Sequence, residues 1–234
     1  MNFTSILKNK KQKKEKILVF SLTDFFYKKF FDNKNIDILR FDLDEFALLN
    51  GYKNSRDITD SDILPLLKNV SCNNKSKIAI DLPFSLIFTG ESYNLGGIVN
   101  FIKDSNCDYL IVDCKFSNLI KKLSSIGVEI IVGINNENNE DKNKKSFEDI
   151  FLKLKELENI AAMFILHDFP EYVVNEAKNS FTAPVISNTT VGDGFYGRMS
   201  EILGLVESNN KKYLNLSTLI DDGIKDAIFD VTKK

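Results

Sequence analysis

The sequence predicts a single α/β domain folded as a (β/α)8 TIM barrel, and three observations carry this prediction. Short apolar runs that end in a polar residue recur along the chain, as where Ile78-Ala79-Ile80 leads into Asp81. Helix-patterned sequence separates each run from the next. The 234 residues, 43% of them hydrophobic, are enough to bury one substantial core. Eight such repeats fit a barrel better than a doubly wound sheet, which usually has about five or six strands.

The apolar runs are predicted to be strands because buried parallel strands are hydrophobic on both faces. In chain order they are 17–22, 36–41, a run ending at Asp81, 109–112, 128–132, 162–166, 184–186 and 202–206. Polar side chains at the carboxyl ends of barrel strands form the active face of this fold, so these ends predict the site.

Apolar residues at a spacing of three to four predict the helices between the strands. After the first strand we expect a helix over 24–31, and after the second a long polar segment containing Gly51. Thr59 or Asp60 then caps the next helix, and Pro170 opens a later one at a position where its missing N–H is harmless. The remaining helices are expected near 95–102, 119–123, 147–157, 193–201 and 216–231.

Charge and composition exclude several classes of partner. The 31 basic and 33 acidic residues leave a net charge of −2, so no overall field attracts nucleic acid or membrane. The basic segment 1–16 is read as a solvated helix or lead-in to a domain that spans 1–234, because Glu15 interrupts its lysines and no aromatics interleave them. Segment 135–145, almost wholly Asn, Glu, Asp and Lys, predicts a mobile loop.

The cysteines and the absence of targeting signals indicate the cytoplasm. Cys72, Cys107 and Cys114 are odd in number and lack the paired spacing of a zinc site. No signal peptide or long apolar span is visible.

Several segments, taken in order, resemble the ketopantoate hydroxymethyltransferase family of the phosphoenolpyruvate mutase-like barrels. Asp81-Leu82-Pro83-Phe84 is similar to the family's Asp-Leu-Pro-Phe, and the segment 51–59 has the length of its Gly-His-x-x-Thr-x-x-Val-Thr. Further resemblances are carried by Ser21-Leu22-Thr23-Asp24, Leu166-His167-Asp168-Phe169-Pro170, Pro184-Val185-Ile186, Asp193-Gly194 and Leu203-Gly204-Leu205.

The resemblance implies a barrel enzyme of pantothenate biosynthesis. Members are cytoplasmic homo-oligomers that bind 3-methyl-2-oxobutanoate, a small keto acid, on Mg²⁺. A glutamate removes the proton beside the carbonyl, and the enolate attacks the one-carbon unit of methylenetetrahydrofolate. Mg²⁺ suits this chemistry because it prefers hard oxygen ligands and stabilises enolate charge.

Carrying the family's site over residue by residue gives an incomplete set. Asp81 matches a metal ligand, Asp113 replaces a glutamate ligand, and the first metal aspartate falls on Leu43, which Asp42 and Asp44 flank. The catalytic glutamate falls on His167, and the family's lysine and second histidine fall on Ile111 and Gly133. The candidate sets are catalytic His167, metal ligands Asp42, Asp44, Asp81 and Asp113, and substrate contacts Asp42, Asp44, Asp81, Ser187 and Asn188.

Each candidate also has a structural interpretation. His167, the only histidine, is a general base in one interpretation and a hydrogen-bonded rim residue in the other. Asp81 and Asp113 bind metal or cap loops and helices, whereas Asp42 and Asp44 bind metal or are solvated loop acids.

Three functions follow from these alternatives. The first is an active hydroxymethyltransferase, the second a non-catalytic barrel of the same family with a binding or assembly role, and the third an enzyme acting on a different keto acid.

Overall fold

The computed structural model describes residues 3–23, 31, 34–70, 76–135, 144–205, 218, 219, 222, 224 and 225. The chain divides into two compact units, 1–196 and 197–234. Within the described residues, no helix is both long and apolar enough to cross a membrane.

Eight parallel strands form a closed barrel, which confirms the predicted fold. In chain order the strands are β1 Ile17–Ser21, β2 Ile38–Phe41, β3 Lys77–Asp81, β4 Phe88–Thr89, β5 Ser92–Tyr93, β6 Tyr109–Asp113, β7 Ile130–Asn135, β8 Ala161–His167, β9 Val185–Ser187 and β10 Gly194–Gly197. Strands β4 and β5 form a separate antiparallel hairpin, and the barrel closes in the order β1-β2-β3-β6-β7-β8-β9-β10.

Helices follow most of the barrel strands, as the repeat pattern predicts. They are α1 Phe3–Gln12, α2 Leu43–Asn50, α3 Asp60–Val70, α4 Leu95–Ser105, α5 Ser117–Ser125, α6 Lys144–Leu157, α7 Glu171–Ser180 and α8 Met199–Ile202. The predicted helix 24–31, most of 216–231 and most of the polar loop 135–145 lie outside the described residues.

Helix α1 packs against the end of the barrel where the strands begin. Leu7 is fully buried in a cluster with strand-initial residues such as Ile17 and Ile38. Lys10 pairs with Asp37 at 2.5 Å, and Lys11 pairs with Asp193 at 2.8 Å. The basic segment at the N-terminus therefore includes a helix that is anchored to the barrel by apolar contacts, hydrogen bonds and ion pairs.

The interior of the barrel is filled by alternate residues of each strand. Their central cluster includes Ile38, Ala79, Ile165, Ile186 and Tyr196. Because side chains alternate along a strand, the residue two positions further along each strand faces the same interior.

The prediction of the last strand and the helix before it was wrong. We expected a helix over 193–201 and a strand over 202–206, whereas β10 comes first and α8 follows it. The reason is steric: a Cβ at Gly194 would lie 2.1 Å from the backbone oxygen of Ile17, so only glycine allows this segment to approach β1. The strand is short and its Gly-Phe-Tyr-Gly sequence lacks an aliphatic run.

Helix α2 replaces part of the long polar segment that the sequence predicts after β2. Asp42 caps its first turn, and Gly51 ends it with a φ of 74°. Asp42 therefore starts a helix rather than a loop, and this fixes its carboxylate at the carboxyl end of β2.

Candidate active site

A connected group of side chains lies at the carboxyl ends of the barrel strands. Arg40 on β2 and Asp81 on β3 follow interior residues at a spacing of two, as His167 does on β8. Asp42 and Tyr196 connect to this group by direct contacts. The group lies where barrel enzymes place their active sites.

Asp42 is held by the start of α2. Its Oδ1 accepts hydrogen bonds from the backbone N–H of Asp44 at 2.9 Å and of Glu45 at 3.0 Å. The residue is fully buried, so a carboxylate at this position requires donors on its second oxygen as well.

Arg40 forms a two-point ion pair with Asp81. Its Nε donates to Oδ1 at 2.8 Å, and its Nη2 donates to Oδ2 at 2.8 Å. Oδ2 also accepts the backbone N–H of Leu43 at 3.1 Å. On the other side of the guanidinium, Nη1 lies 3.6 Å from Oδ2 of Asp42. One arginine therefore joins a fully buried carboxylate, Asp42, and a largely buried one, Asp81.

Tyr196 supplies a hydrogen-bond donor to the second carboxylate oxygen of Asp42. Its hydroxyl donates to Oδ2 of Asp42, and the Cζ of Arg40 lies 4.9 Å from the centre of its ring. A cation above an aromatic face is attracted by the negative charge of that face. Tyr196 thus contacts both Asp42 and Arg40.

Burial and neighbouring charges change the pKa values of Arg40 and Asp81 in opposite directions. Burial raises the pKa of Asp81 to about 6, although the Arg40 guanidinium pulls in the other direction. For Arg40, burial lowers the pKa, but Asp42 and Asp81 outweigh it and raise the pKa well above its usual value. At neutral pH Arg40 is therefore charged, and Asp81, with its pKa below 7, is mostly ionised beside it.

His167 ends β8 on the interior side and is buried. Its ring meets that of Tyr196 edge to face, with 5.8 Å between the centroids. Nδ1 lies 2.9 Å from Oδ2 of Asp168, within ion-pair distance, whereas Nε2 makes no hydrogen bond to the described residues. A buried imidazole nitrogen without a hydrogen bond is uncommon, because buried polar groups are normally hydrogen-bonded.

The carboxylate of Asp168 is fixed beside the ring by two features. The backbone of Asp168 has a φ of 58°, which turns the chain sharply after the strand. The amide nitrogen of Asn188 donates to Oδ1 at 2.8 Å, and its amide oxygen accepts the backbone N–H of Asp168 at 3.2 Å. Asn188 therefore orients an acid that faces the histidine.

The other predicted site residues are placed differently. Asp113 lies two positions beyond the residue paired with Asp81, so it faces the interior, but its carboxylate accepts the N–H of Lys115 at 2.8 Å and pairs with its Nζ at 2.9 Å. Asp44 is exposed on α2. Ser187 alternates with interior Ile186, so it points away from the interior, and its hydroxyl contacts Thr189.

The four predicted metal ligands are not gathered into one cluster. Among the described residues, no group of three or more His, Cys, Asp or Glu could hold a metal ion. The oxygens of Asp42 and Asp81 already accept N–H or O–H donors, and a guanidinium lies between the two carboxylates. A divalent cation does not fit there while Arg40 occupies this position.

Sequence reasoning missed Arg40 and Tyr196. A charged residue inside a buried strand needs a partner, so Arg40 within Ile38-Leu39-Arg40-Phe41 was a usable signal. The sequence predicts a helix over 193–201, which would not place Tyr196 in the barrel interior.

Comparison with known proteins agrees with this fold. The chain is 26% identical over 245 residues to "3-methyl-2-oxobutanoate hydroxymethyltransferase" of Caldicellulosiruptor saccharolyticus, covering 96% of this chain and 91% of that protein. Among solved structures, 2,3-dimethylmalate lyase, of the PEP mutase/isocitrate lyase superfamily, matches with a TM-score of 0.59 and 10% identity over 100% of this chain and 99% of that one.

A second solved structure is phosphonopyruvate hydrolase in complex with oxalate and Mg²⁺. It matches with a TM-score of 0.63 and 8% identity, over 100% of this chain and 88% of that one, so the likeness shows the barrel fold alone. A sequence model of ketopantoate hydroxymethyltransferase matches residues 2–234. The chain therefore belongs to the ketopantoate hydroxymethyltransferase family.

Proposed function

We propose that this chain is an enzyme of pantothenate biosynthesis that adds a hydroxymethyl group to 3-methyl-2-oxobutanoate. Family membership supports the reaction class. The observation that carries the proposal is His167, which is buried at the mouth of the barrel, the end where its strands terminate. Its Nδ1 lies 2.9 Å from Oδ2 of Asp168, whereas its Nε2 makes no hydrogen bond to a described residue. This leaves Nε2 as the nitrogen that can exchange a proton with a bound ligand.

The proposed first step is removal of the proton on C3 of the keto acid. The C–H bond breaks, its proton passes to a nitrogen of His167, and the electron pair is delocalised onto the neighbouring carbonyl oxygen. Asp168, 2.9 Å from Nδ1, favours a proton on that nitrogen and stabilises the imidazolium that forms. Nε2 is then the nitrogen that accepts the C3 proton.

The proposed second step forms the carbon–carbon bond. C3 of the enolate attacks the methylene carbon of methylenetetrahydrofolate, whose bond to a folate nitrogen breaks with the electron pair left on that nitrogen. The nitrogen released first takes up the proton that left C3. Water then attacks the same methylene carbon: a C–O bond forms, the remaining carbon–nitrogen bond breaks with its electron pair left on the second folate nitrogen, and that nitrogen takes one proton of the water, which releases the hydroxymethylated keto acid and tetrahydrofolate. Neither step uses Mg²⁺, because among the described residues Arg40 occupies the position between Asp42 and Asp81 where that ion would bind.

Proton exchange at C3 tests the role of His167 without the folate step. We expect the wild type to replace the C3 proton of 3-methyl-2-oxobutanoate with solvent deuterium, followed by NMR. His167→Ala should slow exchange by about 10²- to 10⁴-fold, the usual contribution of a general base. Lys121→Ala, which removes an exposed ion pair with Glu156, is the matched control and should exchange like the wild type. Equal rates in the wild type and His167→Ala would refute the assignment.

A second candidate function is a non-catalytic barrel of the same family. It is favoured by the protein donors that already satisfy Asp42 and Asp81, and by Ile111 and Gly133 at positions where the resemblance places a lysine and a histidine. This candidate predicts binding of a keto acid with no exchange at C3. Exchange of a different 2-oxo acid, with none of 3-methyl-2-oxobutanoate, would instead identify another substrate.

The proposal extends to assembly. The resemblance implies a cytoplasmic homo-oligomer, and light scattering after size-exclusion chromatography would test the oligomeric state of the full chain.

A further inference from the structure

We infer that Arg40 takes the place of a divalent cation in this barrel, so that Asp42 and Asp81 are organised by a guanidinium belonging to the chain itself. This inference deepens the proposed function, on which it rests only for the identity of the ligand. It concerns the same mouth of the barrel but a different residue from the proposed base.

The hydrogen bonds of the two carboxylates support the inference. Asp81 accepts two N–H groups of Arg40, one on each oxygen, and a backbone N–H. Asp42 accepts two backbone N–H groups on one oxygen and the hydroxyl of Tyr196 on the other. Three donors on each acid therefore already occupy lone-pair positions that a metal ion would use, out of about four that a carboxylate offers.

The position of the guanidinium supports it further. Arg40 is bidentate to Asp81, and its Nη1 lies 3.6 Å from Asp42, so the positive charge lies between the two acids. Mg²⁺ binds carboxylate oxygens at about 2.0–2.1 Å and demands an octahedral shell. An ion at that distance from both acids would overlap the guanidinium, so the two cations exclude each other.

The surroundings favour an arginine at this position. The Arg40 side chain is only 11% exposed, and the ring of Tyr196 lies against one face of its guanidinium. A guanidinium keeps its charge when it is buried, and its planar fork matches a carboxylate. The positive charge between the two acids is therefore present as soon as the chain folds, with or without a divalent cation in solution.

The guanidinium also has donors to offer an anionic ligand. Arginine carries five N–H groups, and the bonds to Asp81 use two of them. Three N–H groups are therefore not used by Asp81, and we expect one of them to donate to the carboxylate of a 2-oxo acid that enters the mouth. The ligand class that this arrangement takes is a small 2-oxo acid bound without a metal bridge.

A cation titration tests the inference directly. The full chain is treated with EDTA and then titrated with Mn²⁺, with the thermal unfolding temperature and the EPR signal of free Mn²⁺ as readouts. We expect no saturable stabilisation of the wild type. Arg40→Ala leaves the two acids without their cation, so it should bind Mn²⁺ and gain unfolding temperature, and adding Asp81→Asn should abolish the gain.

Lys77→Ala is the matched control, because it removes the cation of an exposed pair with Asp108 at 2.6 Å and should gain nothing from Mn²⁺. If Arg40→Ala does not fold, Arg40→Gln replaces it, since glutamine keeps an N–H donor but has no charge. Saturable Mn²⁺ binding to the wild type that Asp81→Asn removes would overturn the inference. A folded Arg40 variant that gains nothing from Mn²⁺ would overturn it too.

The Mn²⁺ titration contains no keto acid and measures no proton exchange. Its result can therefore overturn the inference about Arg40 without bearing on the proposed function. Exchange at C3 that is lost in His167→Ala and depends on Mg²⁺ would support the proposed function while overturning the inference about Arg40. Exchange that is unchanged by EDTA would support both.

Discussion

Replacing Arg40 with methionine should destabilise the protein by about 3–5 kcal/mol at pH 7. The substitution removes the cation from two acids with little or no exposure to solvent, since the side chain of Asp42 is fully buried and that of Asp81 is 15% exposed. Breaking a buried ion pair by deleting one partner typically costs about this much, because the remaining charge is left uncompensated. Urea denaturation of the wild type and Arg40→Met at 25 °C would measure the difference.

The destabilisation should also depend on pH, and its sign follows from Asp81. Burial raises the pKa of Asp81 from 3.8 to about 6, so between these values the folded protein retains a proton that the unfolded chain has lost. The stability that Asp81 contributes is therefore present at low pH and falls as the pH rises through this window. Without Arg40 the pKa rises further, so the cost of Arg40→Met should be smaller at pH 5 than at pH 7.

Two further variants test whether the loss of the Arg40 charge causes this destabilisation. Lys77→Met breaks an exposed pair and should cost no more than about 1 kcal/mol. Adding Asp81→Asn to Arg40→Met should recover part of the lost stability, because it removes one of the uncompensated charges. A cost of Arg40→Met no larger than that of Lys77→Met, or one independent of pH, would show that the ion pair is not the buried connection described here.

Other predictions concern the rest of the barrel. Leu7→Ala should cost about 2–5 kcal/mol in urea denaturation, because the side chain is fully buried between α1 and the barrel. Gly194→Ala should lower the thermal unfolding temperature, since its Cβ would lie 2.1 Å from a backbone oxygen of β1. Gly96→Ala, in the first turn of α4, meets nothing within 4 Å and should not lower it. Glu158→Gln should cost about 1–3 kcal/mol at pH 7. Burial raises the pKa of Glu158, but hydrogen bonds from the backbone N–H and hydroxyl of Thr182 outweigh it and lower the pKa below 4.5. The cost of Glu158→Gln should therefore shrink as the pH falls below 4.5. Urea denaturation at pH 7 and pH 4 would measure this change. Unchanged stability in Leu7→Ala, equal effects of the two glycine substitutions, or a constant cost of Glu158→Gln would contradict these expectations.

The barrel could be predicted because its strands are specified locally. Runs such as Ile78-Ala79-Ile80 and Tyr109-Leu110-Ile111-Val112 are hydrophobic on both faces, and that pattern is typical of buried parallel strands. The pattern failed at β10, where two glycines and two aromatics replace the aliphatic run. The need for glycine there arises from the approach of β1, a contact distant in sequence that no local pattern records.

The site was predicted in part for the same reason. The sequence indicates that Asp81 and His167 end barrel strands, and the structure places both at the mouth of the barrel. The donors that bind each acid come from other strands, which the local sequence does not indicate. The hydroxyl of Tyr196, for example, donates to Asp42, which is 154 residues away in the chain. Family resemblance assigned these acids to a metal, whereas the structure shows Arg40 bound to Asp81 and beside Asp42.

Calorimetric titration of 3-methyl-2-oxobutanoate into the EDTA-treated protein tests the central claim, that an arginine and not a metal prepares the mouth of the barrel for a 2-oxo acid. We expect saturable binding without a divalent cation, weakened by about 10- to 100-fold in Arg40→Gln, which corresponds to the loss of one hydrogen bond to a charged group. Binding that appears only after Mg²⁺ is added, or that is unchanged in Arg40→Gln, would show that Arg40 does not take this role.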